Sequence, residues 1–146
     1  MNKIKNFFLI FIITIFCVQI AYAKNSYFDE GEKLFKEKKF SQSKYNFEKD
    51  IVFNPKNEKS YLYLAKIFKF QKKQSLEEQN LKTVILLDPK NEEALYLLTL
   101  LKLNKSDYEG SQKLIGIFKK VCVKICDKQT ELNKKFENLE PNLITL

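Results

Sequence analysis

Apolar and polar positions alternate along this chain at helical spacing, and the pattern breaks at regular intervals. Ser60, Tyr61, Leu64, Ala65, Ile67 and Phe68 recur at steps of three and four, the signature of a helix that buries one face. The polar run Lys72-Lys73-Gln74 interrupts it. Leu76, Leu81, Val84, Ile85 and Leu87 then build a second helix, which Asp88-Pro89 stops, because proline fixes φ, lacks an N–H donor and disfavours α backbone in the residue before it. The same pair precedes it, with helices expected from about Tyr27 to Lys38 and from Ser41 to Phe53, closed by Asn54-Pro55. It also follows, near Glu92 to Leu103 and Tyr108 to Lys120.

These helix pairs are copies of one unit. Pro55-Lys56-Asn57-Glu58 recurs unchanged as Pro89-Lys90-Asn91-Glu92, a step of 34 residues. Whole columns follow that step: Tyr27, Tyr61 and Leu95; Gly31, Ala65 and Thr99, all small; Phe40, Gln74 and Tyr108; Phe47, Leu81 and Ile115; Phe53, Leu87 and Val121. A repeat of this length marks a stack of supersecondary units that bury apolar faces against one another. The small column fits places where two helix backbones approach closely.

The residues that carry the period resemble the tetratricopeptide repeat (TPR). Tyr61, Leu64-Ala65, Phe68, Leu81, Val84 and Pro89 reproduce its sequence of aromatic, Leu-small, aromatic, later small residue and closing proline. Departures are Glu30 in place of Leu, Lys102 in place of an aromatic, and Ser43, Glu77 and Ser111 in place of Ala; the third repeat also lacks its proline. The resemblance implies an all-α, right-handed solenoid of helix hairpins over residues 24–140, with repeats at about 24–57, 58–91 and 92–125. A capping helix is expected at about 126–139, its core running from Asp127 to Leu139, where Gln129, Leu132, Asn133 and Phe136 continue the period and Lys128, Glu131, Lys134, Lys135 and Glu137 supply a polar outer face. Residues 141–146 form a short tail.

The first 23 residues read as an address. Lys3 and Lys5 precede an apolar run from Phe7 to Val18, and Ala21-Tyr22-Ala23 has the small residues of a cleavage site. This is the order of a secretory signal peptide, and the run is too short for an ordinary spanning helix. Cleavage after Ala23 implies a periplasmic or secreted protein; an uncleaved leader would instead anchor it to the inner membrane. The full chain has a formal charge of +8, all 26 basic residues being lysine. Removing the leader leaves 24 lysines against 18 acidic residues, a balance of +6.

Composition argues against ordinary enzyme chemistry. There is no His, the usual general base near neutral pH. Three Gly cannot supply a phosphate-cradling loop. The carboxylate pairs Asp29-Glu30, Glu77-Glu78 and Glu92-Glu93 point in different directions on a helix and read as solvated or capping groups. No catalytic residue, metal site or cofactor is expected. The lysines are spread among acids and no Arg is present to read bases, so nucleic acid is not an expected partner. A weak attraction to an anionic membrane surface or cell-wall polymer is the rival reading of the charge. Cys122 and Cys126 are the thiols left after cleavage; they either close a small disulfide that pins the cap or stand as two separate thiols.

The resemblance also implies where a partner would bind, since the first helix of each repeat lines a concave groove in this family. The corresponding positions are Phe28, Glu32, Phe35 and Lys36, then Leu62, Lys66, Lys69 and Phe70, then Tyr96, Leu100, Leu103 and Asn104. They would form an apolar groove with a lysine pair at its middle, suited to a peptide or helix with apolar anchors and one or two acidic groups. Phe28 and Glu32 do not reproduce the Lys-and-Asn pattern by which some relatives clamp a C-terminal carboxylate. The implied role is an exported scaffold for protein binding in the cell envelope.

Overall fold

A computed structural model of the chain describes residues 27–139. The leader and the tail lie outside the described residues. Among those described there are seven helices and no strand: α1 (residues 27–36), α2 (Phe40–Phe53), α3 (Glu58–Phe70), α4 (Gln74–Leu87), α5 (Glu92–Asn104), α6 (Tyr108–Val121) and α7 (Lys128–Leu139). The capping helix is therefore present, and each element lies within two residues of its sequence expectation. By compactness the chain divides into two units, Met1–Ser60 and Tyr61–Leu146, with the division inside α3.

The first turn of each helix pair uses a device the periodicity did not show. Lys38, Lys72 and Ser106 have φ of 60°, 57° and 56°, and they are spaced by the 34-residue step. Each sits just past a helix C-terminus in the left-handed conformation. Lys38 N–H bonds to Phe35 C=O and Lys39 N–H to Leu34 C=O, both at 2.9 Å. Lys72–Lys69 and Lys73–Phe68, then Ser106–Leu103 and Asp107–Lys102, repeat the pattern. The bonds satisfy helix-end carbonyls in a Schellman arrangement, which glycine usually fills. The second turns close with Asn54 and Asp88, whose N–H groups return to Asp50 and Val84 at 2.7 Å before the prolines.

In the first unit, Gly31 explains the small column. A Cβ there would lie 2.8 Å from the buried ring of Phe47. Ser43, in the place of the usual Ala, donates to Gly31 C=O at 2.8 Å. Asp50 is buried, its Oδ2 accepting from Asn57 Nδ2 at 2.7 Å and from Ser60 Oγ at 2.5 Å.

The second unit has two linked core clusters. One joins Leu62 and Ala65 of α3, Leu81 and Val84 of α4, and Ala94, Leu98 and Leu101 of α5. The other joins Leu95 and Leu103 of α5 to Phe118 of α6 and Leu132 of α7, with Phe136 and Leu139 packed beside them. Covering that second cluster is what α7 contributes. The α6–α7 connection, residues 122–127, is not helical. Cys122 leaves the helix with extended backbone, and its Cα lies 5.2 Å from that of Cys126, with the sulfurs bonded. A continuous helix would not have placed them so.

Candidate functional site

The groove expectation divides into residues that remain at a surface and residues that do not. Leu62 and Leu103 are 8% and 3% exposed and belong to the two core clusters; the correction follows from their inward helical phase, and they offer nothing to a partner. Phe28 and Phe35 are half-buried, packed on Phe47 and Phe40 with ring centroids at 5.8 and 5.4 Å. Glu32 pairs with Lys36 at 3.5 Å. Lys66 does not stand as half of a lysine pair, because Glu93 holds it at 2.8 Å and its ammonium lies over the Tyr63 ring. Tyr96 is taken by the cap: its hydroxyl donates to Glu131 at 3.0 Å, and Lys128 lies over its ring. Burial, then the nearby Glu131, raises the Tyr96 pKa, while the same hydrogen bond lowers that of Glu131. Phe70 is 63% exposed at the end of α3.

Three of the expected residues do meet at one place. Lys69, Leu100 and Asn104 line a cleft of about 230 Å³ in the second unit. Sequence reasoning missed the others: Leu97 and Leu101 from α5, Lys72 and Gln74 from the turn into α4, and Glu77 from the first turn of that helix. Lys69, Lys72, Gln74 and Asn104 are exposed, Leu97 and Leu100 half-buried, and Leu101 buried.

Glu77 is the unusual member. It is 5% exposed, in the column where the other repeats have Ser43 and Ser111 and the TPR pattern has Ala. The solvated role expected for Glu77-Glu78 is thus wrong for Glu77, since its position faces the packed side of α4. Burial pushes its carboxyl above the ordinary range, and the Lys69 charge offsets part of that rise. Among the described residues the buried side-chain oxygens without a hydrogen-bond partner are Asp50 Oδ1, Gln71 Oε1 and Gln129 Oε1, and the Glu77 carboxylate, which lines the cleft, is not one of them. The misfit with the alanine column was the available signal.

Glu78, one residue on, has the opposite environment. Its carboxylate meets Lys82 at 2.7 Å, Lys102 at 3.0 Å and Lys105 at 2.6 Å, and hydrogen bonds from these, Lys105 first, lower its pKa to about 2. Lys102 also bonds to Asp107 at 2.7 Å. This ionic cluster stands where the pattern has an aromatic, which accounts for the Lys102 departure. Glu92 likewise does more than favour a helix dipole: its carboxylate accepts Lys124 N–H and Ile125 N–H, each at 2.9 Å, and so ties the connection before α7 to the start of α5. Those backbone bonds, Ile125 first, lower its pKa.

Comparison with solved structures decides the fold. The TPR2B domain of yeast Sti1, in its pHsp70 complex, superposes with a TM-score of 0.69 at 12% identity, covering 82% of this chain and 97% of that one. The fold is that of the tetratricopeptide repeat. The second TPR domain of human RPAP3, in complex with an HSP70 peptide, gives 0.68 at 16% identity, over 83% of this chain and 98% of that one. The Yersinia enterocolitica type III secretion chaperone SycD, with a peptide of the translocator YopD, gives 0.70 at 10% identity, over 81% and 92%. No protein-family model matches the chain, and no curated protein matches it in sequence. Likeness at these identities is likeness of TPR architecture.

Proposed function

We propose that this TPR-fold chain is an adaptor that binds a peptide or helix of a protein partner. The observation that carries the reading is the cleft between α3, α4 and α5, where groove positions implied by the repeat, Lys69, Leu100 and Asn104, come together with exposed polar groups around a leucine wall. Solved relatives of the fold bound to peptides support it. A small apolar depression ringed by polar side chains suits an anchor residue rather than a large flat interface. The leader signature at residues 1–23 supports an exported adaptor with a cell-envelope partner, working by binding and not by catalysis.

A peptide array read with the purified chain tests this. Bound peptides are expected, and Leu100→Asp is expected to abolish their binding while leaving helical content unchanged. Equal binding by the variant would remove the cleft from the reading. Salt separates it from attraction to an anionic polymer: anchoring on leucines survives moderate salt, whereas polyanion binding falls steeply. Export is tested by fractionation and intact mass, with Lys24 expected as the N-terminal residue of the mature chain.

A further inference from the structure

A second pocket, of about 310 Å³, is built wholly from residues of the first unit. Asp50 lines it together with Phe28, Asp29, Glu58 and the exposed Lys56 and Lys59. Asp50 stands in the column that holds Val84 and Phe118 in the later repeats, and all three are buried. A carboxylate has thus replaced an apolar core residue. Its Oδ2 accepts from Asn57 and Ser60, an amide and a hydroxyl, whereas its Oδ1 is buried with no hydrogen-bond partner. A buried carboxylate met only by neutral donors is costly, so packing does not account for Asp50 and a cationic donor would.

The surroundings select the donor. An anion would meet three carboxylates. A divalent metal lacks ligands, since among the described residues no three His, Cys, Asp or Glu side chains are placed to hold one. A guanidinium presents a planar fork matched to two free acceptors, and Oδ2 is already taken. A primary ammonium is a compact charge that needs one acceptor. Lys56 and Lys59 would repel a bare amine but hold a carboxylate carried beside it. The volume is at the lower end for small-molecule sites. We propose that this pocket binds a free amino acid, its α-ammonium donating to Asp50 Oδ1, its carboxylate held by Lys56 and Lys59, and its side chain against the Phe28 ring. A peptide N-terminus lacks the adjacent carboxylate and is the poorer ligand. The site goes beyond peptide binding and does not depend on it, because none of its residues belongs to the cleft between α3, α4 and α5.

The test uses the full chain and the common L-amino acids as probes, each at millimolar concentration. At least one is expected to raise the unfolding midpoint, as a ligand of the folded state must. Calorimetric titration then compares it with its N-acetyl derivative, its C-terminal amide and its decarboxylated amine. Acetylation is expected to abolish binding, and loss of the carboxylate charge to weaken it about tenfold to a hundredfold, the span of a lost charge-assisted bond. Asp50→Val, which restores the residue of the column, is expected to keep the fold and lose the ligand. Asp50→Asn, which keeps the size and an acceptor for Ser60, is expected to lose it as well, and is read alone if Asp50→Val does not fold. No midpoint shift with any amino acid would overturn the proposal and leave Oδ1 to water. Unchanged binding in Asp50→Asn, or equal binding of the amino acid and its decarboxylated amine, would overturn it too.

Discussion

Glu77 and Glu78 are neighbours in sequence with opposite electrostatic fates, and both have consequences for stability. Glu77 binds its proton more readily in the folded chain than in the unfolded one, because burial disfavours the charge. The stabilisation from that proton is full below the ordinary carboxylate pKa and is lost as pH rises through the elevated value. At neutral pH Glu77 therefore weakens the fold. Glu77→Ala, which restores the residue of the TPR pattern, is expected to raise the unfolding midpoint at pH 7, with the gain shrinking toward pH 4. Urea unfolding of both proteins at the two pH values checks this, and an unchanged or lowered midpoint at pH 7 would refute it. Glu78 runs the other way: its three lysine contacts stabilise the fold above pH 4.5, and that contribution is lost as pH falls toward about 2. Gly31 has a steric role, since a methyl group would press on the buried Phe47 ring at 2.8 Å. Gly31→Ala is expected to cost about 1–3 kcal/mol by overpacking, read as a lower unfolding midpoint.

At the scale of elements, the turns inside the helix pairs are held by hydrogen bonding in spite of their residues. Lys38, Lys72 and Ser106 are left-handed positions without glycine, each at a cost of roughly 1 kcal/mol. Lys72→Gly is expected to recover up to that amount, visible as a higher midpoint with circular dichroism unchanged; a lower midpoint would mean that the lysine side chain contributes more than its backbone costs. The connection before α7 is constrained by three features: the disulfide, the Glu92 carboxylate and the Tyr96–Glu131 hydrogen bond. A loop closed by so few residues contributes at most about 2 kcal/mol. Reduction is expected to add 2 Da (two hydrogen atoms) to the intact mass and to lower the midpoint modestly without unfolding the chain. Helix phase and breaks were readable from residues alone, because a buried stripe and a proline stop are local properties. The left-handed turns were not, since nothing in Lys38 or Lys72 as a residue type prefers that conformation.

At the scale of the molecule, α7 ends the series within the second unit by covering Leu95, Leu103 and Phe118. Ending the chain after Asp127 is expected to expose that cluster. The truncated protein should bind a hydrophobic dye and lose midpoint relative to the full chain; identical behaviour would show that the cluster is closed without α7. Four of the lysines, Lys66, Lys82, Lys102 and Lys105, are engaged by Glu93 and Glu78, while the formal excess of lysine over acid remains.

The sequence by itself determined the helix pairs, the 34-residue period, the cap and the TPR resemblance, because period and polarity are written in residue order and survive the divergence of individual positions. It also named Lys69, Leu100 and Asn104. Only the tertiary structure decided which groove positions turn inward, as Leu62 and Leu103 do, and which are claimed by intramolecular partners, as Lys66 and Tyr96 are. It alone brought Lys72, Gln74, Glu77, Leu97 and Leu101 to the same cleft, from places well apart in the chain. The physical reason is that burial and pairing depend on which helices meet, and a helical pattern specifies that a face is covered without specifying by what.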